Sequence, residues 1–199
     1  MNLNQSFYGV LYVMLFAFIL STYAFVRVEQ ERPILFMEMC ITGISSFMYY
    51  LFIQRLKPQS LHAISILRYK GWAITTPLMV VALSWLLHTN VSLVYLIGLD
   101  LLMLLSGYLG ELHLIPQFTA TIAGFIPFFL LFYTLYSAAT FTTCTYVIFW
   151  IYFSVWTCYG LAYLCKESTK NEVMNVLDCL AKAVVAISVS IHFISGDIV

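Results

Sequence analysis

Apolar runs of about 20 residues recur along almost the whole of this 199-residue chain. A helix needs roughly 20 predominantly apolar residues to cross the hydrocarbon core of a bilayer. Lipid offers no hydrogen-bond partners to backbone groups, so such segments must be helical. We place seven of them at about residues 6–28, 33–54, 62–87, 91–111, 118–138, 143–165 and 173–195. The sequence therefore predicts an all-α membrane protein, a seven-transmembrane-helix bundle forming a single domain over residues 1–199.

The composition supports a membrane protein and argues against other classes. Hydrophobic residues make up 62% of the chain and charged residues only 9%, too few to cover the surface of a soluble domain. The formal net charge is zero, which gives no indication of a nucleic-acid partner. The five cysteines show neither a metal-binding nor a disulfide spacing, so we interpret them as small packing residues.

The last apolar run has a lysine at its centre, Lys182, with Asp178 one helical turn before it. A charge at the centre of a bilayer costs roughly 2.5–3.5 kcal/mol on insertion scales, so such a residue is a candidate functional site. Residues four apart share a helix face, which makes Asp178 the expected partner. A buried lysine suits Schiff-base chemistry with an aldehyde. The alternative is a buried ion pair that fixes helix packing, and the pair by itself leaves both possibilities open.

The third run contains a second group of polar and aromatic residues. Arg68, Trp72, Thr75 and Thr76 are spaced at i, i+4, i+7 and i+8 and therefore share one helix face. Pro77 follows them and should kink the helix. Each residue alone has an ordinary structural explanation, whereas the combination is much rarer.

Together these motifs resemble the microbial rhodopsins, which are seven-helix retinal proteins. The third run reads Arg-Tyr-x-x-Trp-x-x-Thr-Thr-Pro-Leu, and the seventh reads Leu-Asp-x-x-Ala-Lys. Residues 97–103 with Gly107, and residues 156–163, are similar to the fourth and sixth helices of the family. In the sixth helix Gly160 and Tyr163 replace a proline and a tryptophan of the family pattern. The resemblance spans most of the chain and is loose in the fifth helix.

The resemblance implies a role for each matching residue. Lys182 would bind all-trans retinal covalently as a Schiff base, with Asp178 as the counterion and Arg68 beside them. Trp72 and Trp156 resemble the two indoles that enclose the polyene. The other residues expected at the retinal site are Gly71, Thr75, Thr76, Met103, Gly107, Tyr159 and Tyr163.

The chain departs from the family's proton pumps at two positions of the third helix. Those pumps have an aspartate three residues after the arginine, and a carboxylic donor eleven residues further on. Here Gly71 and Ala82 stand at these positions. Outward proton pumping by analogy is therefore in doubt.

Two other acids lie in apolar runs. Glu38, near the start of the second run, resembles a proton donor moved to the second helix, as in rhodopsins of giant viruses of algae. The alternative is an acid that favours the dipole at the start of its helix. Asp100 resembles the family's aspartate that bonds to the third helix, and we favour a structural role for it.

Charge counting gives a sharper expectation. Arg68 and the Schiff base are two positive charges, and Asp178 is a single negative one, so the pocket has a net charge of +1. An uncompensated buried charge is unfavourable. Three remedies are open: the Schiff base loses its proton, an anion such as chloride binds beside Gly71, or a carboxylate or water moves in from elsewhere.

The expected function is light-driven or light-gated transport of protons or anions, and not enzyme catalysis. The acids assigned to an ion pathway are Glu38, Asp178, Glu167 and Glu172, together with Arg68. The alternative is a sensory rhodopsin that signals to a partner, and the paired motifs argue against a third class, a transporter without retinal. Related bundles commonly assemble as homotrimers or homopentamers, so we expect an oligomer in the lipid bilayer. The basic residues of the loops weakly favour a cytoplasmic N-terminus, but family topology places it outside, and we expect an extracellular N-terminus.

Overall fold

The computed structural model describes residues 3–29, 31–56 and 60–196, and within them it contains seven helices. The first six are α1 (Leu3–Arg27), α2 (Arg32–Gln54), α3 (Leu61–Leu86), α4 (Leu93–Glu111), α5 (Gln117–Ala138) and α6 (Thr143–Ala162). The last, α7, is α-helical over Glu167–Asp178 and Val185–Ser195 and π-helical over Cys179–Val184 between them. The predicted all-α bundle of seven helices is confirmed.

Helices that follow one another in the chain pack side by side. α1 packs on α2, α2 on α3, α3 on α4, and α4 on α5. The ring closes because α7 packs on both α6 and α1, and it also touches α3. Side chains of α3 and α7 therefore meet inside the bundle, where the two sequence motifs lie.

The distribution of polar and apolar side chains is that of a membrane protein. Large apolar side chains point outward, such as Val94, which is 82% exposed, and Tyr133, which is 71% exposed. In contrast, charged side chains such as Arg68 and Lys170 are buried. Among the described helices, all except α3 are long and apolar enough to cross a membrane by themselves. The chain is therefore an integral, multi-pass membrane protein.

The start of α7 differs from the sequence-based prediction. The apolar run suggested a beginning near residue 173, but the helix begins at Glu167. The additional turns contain polar residues that find hydrogen-bond partners inside the bundle, including Lys170 and Asn171, both buried. Hydropathy alone assigned these residues to a loop because it does not register such partners.

Lys182 lies inside the π-helical turn of α7, which spans Cys179–Val184. A π-helix is a local widening of the α-helix and occurs mostly at functional sites. Asp178 is the last residue before the wide turn. No sequence pattern predicted this wide turn, which lies at the pair of residues with the largest expected role, Asp178 and Lys182.

Candidate functional site

Asp178 is the centre of a hydrogen-bond network deep in the bundle. Its Oδ1 atom lies 2.5 Å from Lys182 Nζ, and its Oδ2 atom lies 2.6 Å from Arg68 Nη1. The hydroxyl groups of Tyr49 and Tyr159 each donate to the carboxylate at 2.8 Å. Arg68, Asp178 and Lys182 are at most 4% exposed. One carboxylate therefore partners two buried cations, and this inner cluster has a net charge of +1.

Trp72 joins the same network and separates it from a large cavity. Its indole Nε1 donates to Asp178 Oδ1 at 3.1 Å. The ring of Trp72 also stands edge-on to Tyr159, with ring centroids 5.1 Å apart. Because two aromatic donors from different helices bind one carboxylate, its orientation toward Lys182 is fixed from both sides.

Several residues expected at the retinal site line a large cavity. It encloses about 750 Å³ of space free of atoms, counting its open side. Its walls include both indoles, Trp72 from α3 and Trp156 from α6, together with the side chain of Lys182. Eight of the residues that the sequence analysis assigned to the retinal site line this cavity: Trp72, Thr76, Met103, Gly107, Trp156, Tyr159, Tyr163 and Lys182.

Two glycines allow aromatic rings to form the walls of this cavity. A Cβ atom on Gly107 would overlap the ring of Tyr69, whose Cε1 atom would lie 3.0 Å away. A Cβ atom on Gly160 would likewise overlap the ring of Phe125. The result is a flat, mostly apolar chamber with a primary amine at one end. An elongated apolar aldehyde such as retinal, joined to Lys182, fits this chamber.

α5 contributes cavity residues that the sequence analysis missed. They are Ala120, Thr121, Gly124, Phe125 and Phe128. Residues 120, 124 and 128 are four apart and share one helix face, and the first two are small. This spacing was the available signal, although α5 has no strong family motif.

A second, smaller cavity lies on the other side of Lys182, between α2, α3 and α7. It contains about 220 Å³ of space free of atoms, counting its open side. The sequence-predicted residues that line it are Arg68, Gly71, Thr75 and Asp178. The space beside Gly71, where an anion was one of the three open remedies, is partly filled by a side chain of α2. A Cβ atom on Gly71 would lie 3.0 Å from Met48 Cε. The thioether of Met48 therefore occupies part of the volume that an aspartate side chain at position 71 would need.

From Arg68 the network continues toward the end of the bundle at which α3 and α7 begin. Arg68 Nη2 donates to Asn175 Oδ1 at 2.8 Å and to Asn171 Oδ1 at 3.4 Å. The amide of Asn175 donates to Ser6 Oγ of α1 at 2.8 Å. The amide of Asn171 reaches Ser65 Oγ at 3.3 Å. A guanidinium on α3 is thus held by two amides of α7.

The network ends in a cluster of charged residues, which we call the outer cluster: His62, Glu111, Glu167 and Lys170. Lys170 Nζ lies 2.8 Å from Glu111 Oε1 and 2.5 Å from Glu167 Oε1. His62 Nδ1 lies 3.1 Å from Glu111 Oε1. Ser65 Oγ donates to Glu167 Oε2 at 3.1 Å and so joins this cluster to Asn171. With His62 neutral, the outer cluster has a net charge of −1, which balances the inner +1.

Most members of this network were not identified from the sequence, yet a signal existed. Glu167, Asn171, Asn175, Asp178 and Lys182 are spaced at i, i+4, i+8, i+11 and i+15, on one face of α7. Of the two acids assigned near the start of α7, the structure brings only Glu167 into the network. Glu172 is half-buried and has no hydrogen bond or ion pair with any other residue that the structure describes.

Glu38 lies apart from the outer cluster, in the other half of the bundle. Its side chain is only 2% exposed, and its carboxylate makes no hydrogen bond or ion pair within the described ranges. Ala82 of α3 is also buried and offers no proton-exchanging group. Asp100 accepts a hydrogen bond from Thr76 Oγ1 at 2.8 Å, so the expected bond between the fourth and third helices is confirmed.

Comparison with known proteins agrees with this geometry. A sequence profile of the family described as bacteriorhodopsin-like protein matches residues 3–189. No curated protein sequence matches the chain.

Solved structures with the same fold include rhodopsins of viral, bacterial-type and algal origin. The crystal structure of viral rhodopsin OLPVRII is 29% identical, covers 99% of both chains and superposes with a TM-score of 0.92. A blue light-absorbing proteorhodopsin from Med12 is 22% identical over 98% of both chains, with a TM-score of 0.81. The proton-pumping rhodopsin AR2 from the marine alga Acetabularia acetabulum is 18% identical over 99% of this chain and 96% of that one, with a TM-score of 0.81.

Proposed function

Because the chain belongs to the bacteriorhodopsin-like family, we propose that it is a retinal photoreceptor whose single seven-helix domain, residues 1–199, transports protons when it absorbs light. All-trans retinal, joined to Lys182 Nζ as a Schiff base, would supply light-driven isomerisation. Trp72 and Trp156 would hold the polyene between them. Asp178 and Arg68 would set the charge around Lys182 Nζ.

The observation that supports transport is the unbroken chain of buried polar side chains from Lys182 to the outer cluster. Its links are Asp178, Arg68, Asn171 and Ser65, and each is within hydrogen-bond or ion-pair distance of the next. Placing so many polar groups inside a membrane bundle is costly, and such groups mark ion or proton pathways. Asp178 and Glu167 can hold a proton, and the guanidinium, amide and hydroxyl groups between them make the hydrogen bonds that join the two acids.

The residues of the chain have separable tasks in this proposal. Asp178 accepts the proton from Lys182 Nζ or stabilises it there, and Tyr49 and Tyr159 hold the carboxylate in place. Arg68 links Asp178 to the asparagines of α7. The apolar walls of the large cavity exclude water from Lys182 on the opposite side.

Chloride is the second candidate ion. The inner cluster has a net positive charge, and Arg68 Nε has no hydrogen-bond partner among the described residues. Both features favour an anion in the smaller cavity. The outer cluster already supplies the balancing negative charge, so we place the proton first.

Orientation and assembly complete the proposal. We assign an extracellular N-terminus, as in the family topology, which places Glu111 and Glu167 at the extracellular end and Glu38 toward the cytoplasm. The exposed aromatic side chains of α1, such as Tyr12 and Phe16, support contact with lipid or with further copies of the chain in a trimer or pentamer.

Illumination of vesicles that contain the retinal-loaded protein tests the function. We expect a light-dependent pH change that an uncoupler abolishes and that is equal in chloride and sulfate buffers. A response that requires chloride, or a visible band that shifts with the halide, would replace the proton by the anion. Colour with neither a pH change nor a photocurrent would instead favour a sensory function.

Glu38→Gln is expected to slow the late part of the photocycle about tenfold, which is less than the roughly 10²–10⁴-fold typical of general acid–base catalysis. Glu38 is the buried acid on the side of Lys182 opposite the outer cluster, and Ala82 cannot replace it. Flash photolysis measures the rate, and added azide, a small diffusible acid, should restore it. If the photocycle kinetics are unchanged, Glu38 has only a structural role near the start of α2.

A further inference from the structure

α2 has a continuous polar face that runs from Glu38 toward Asp178. Glu38, Thr42, Ser45 and Tyr49 are spaced at i, i+4, i+7 and i+11, so they lie on one side of the helix. All four are at most 3% exposed. The row begins at the isolated Glu38 and ends at Tyr49, whose hydroxyl donates to Asp178.

α3 offers no comparable row in this half of the bundle. The two positions where proton pumps have acids are Gly71 and Ala82. On α2, seven residues separate Glu38 from Ser45, a rise of roughly 10 Å at 1.5 Å per residue. Thr42 lies between them, roughly 6 Å from the first and 4.5 Å from the second along the helix axis. The spacing is too wide for one direct transfer but suits hydroxyl groups and water in sequence.

Ser45 differs from the other hydroxyl residues nearby. Thr42 Oγ1 donates to the carbonyl of Glu38 at 2.7 Å, and Ser46 Oγ donates to the carbonyl of Thr42 at 2.8 Å. Ser45 Oγ is fully buried and has no hydrogen-bond partner within the described ranges. Buried polar groups nearly always have a partner, which is often a water molecule.

The unpartnered hydroxyl of Ser45 lines the smaller cavity together with Arg68 and Lys182. Arg68 Nε is the second buried polar atom there without a partner among the described residues. The space in this cavity that is closed enough to hold a water-sized sphere corresponds to about one water molecule. Ser45 and Arg68, each with an unpartnered buried polar atom, therefore border this small space together with Lys182.

We propose that Ser45 holds a water molecule in the smaller cavity and that this water delivers the returning proton to Lys182 Nζ from the polar face of α2. The proton leaves the Glu38 carboxyl group, passes along the hydroxyl of Thr42 and water to Ser45, and binds at Nζ. Glu38 is left as a carboxylate, which takes up a proton from its own side of the membrane. Ser45 is a positioning residue here, and the inference rests on the proposed proton transport.

The first test is structural and needs no light. A high-resolution structure of the retinal-loaded protein in the dark should show an ordered water within hydrogen-bond distance of Ser45 Oγ. Ser45→Ala should remove that water, whereas Ser46→Ala should keep it. Ser46 is a matched control because it is a buried serine on the same helix that does not line the cavity. An empty cavity in the wild-type protein, or a chloride ion in place of the water, would overturn the proposal.

The second test follows the return of the proton to Lys182 Nζ after a flash, as recovery of the visible band. Ser45→Ala should slow this recovery about tenfold, which is less than the roughly 10²–10⁴-fold of a full general acid–base effect, and Ser46→Ala should slow it by less than about twofold. Ser45→Thr keeps the hydroxyl and should recover most of the wild-type rate. Equal rates in Ser45→Ala and wild type would overturn the proposal even if the vesicles acidify normally. If the vesicles show no proton transport but recovery of the visible band is slower in Ser45→Ala, the proposed transport is wrong and the proposed water site stands.

Discussion

Lys182→Ala is expected to abolish the visible absorption band of protein supplied with all-trans retinal. Lys182 is the lysine that lines the large cavity, and it is only 4% exposed. Its amine meets the aromatic walls at the point where they reach Asp178, so an aldehyde bound in the cavity has this one nucleophile beside it. The measurement is an absorption spectrum of purified protein after incubation with retinal.

Lys70→Ala is the matched control for this experiment. Lys70 is an exposed lysine of α3, two residues from Arg68, and its removal should leave the band unchanged. Borohydride reduction followed by peptide mapping should place retinal on Lys182 in the wild type. A visible band in the Lys182→Ala protein that borohydride still reduces would show that another amine holds the chromophore.

Asp178→Asn is expected to move the absorption maximum into the near ultraviolet at neutral pH. Asp178 is the sole carboxylate in contact with Lys182 Nζ in the described part of the chain, and it also partners Arg68. The asparagine would leave two buried cations facing each other, and the simplest relief is loss of the proton from Lys182 Nζ. Acidification should restore a visible band, which a pH titration of the spectrum will show.

Stability must be followed in the same experiment, because removing one partner of a buried ion pair costs about 3–5 kcal/mol. Asp100→Asn is a suitable control, since Asp100 is equally buried but bonds Thr76 rather than a cation. That protein should keep its visible band at neutral pH. If Asp178→Asn folds and keeps the wild-type spectrum across the titration, a different group is the counterion.

The apolar runs determined the fold because each is long enough to require a membrane-spanning helix. Arg68 and Trp72 were found from their spacing on α3, and Lys182 and Asp178 from charges that lipid does not tolerate alone. Their assembly around one carboxylate follows from α3 and α7 being in contact. The contact of Asp178 with Lys182 was predictable from their spacing, and that of Asp178 with Arg68 from the resemblance to the microbial rhodopsins.

The members of the outer cluster other than Glu167 were missed for a physical reason. Hydropathy averages over a window, and the polar start of α7 lowers that average until the segment resembles a loop. Lys170 is buried against Glu111, which is 59 positions earlier in the chain and lies 2.8 Å away at the end of α4. That pairing depends on how α4 and α7 are placed across the bundle, which periodicity within either helix does not describe.

Gly71 shows the same division at the scale of one residue. That no carboxylate stands there, and hence the net charge of +1 beside Lys182, follows from the residue types alone. The position of Met48 against Gly71, and the unpartnered hydroxyl of Ser45 at the same cavity, follow only from how α2 packs on α3. Charge is a property of residue types and can be counted along a chain, whereas volume and hydrogen-bond satisfaction depend on which helices pack against each other.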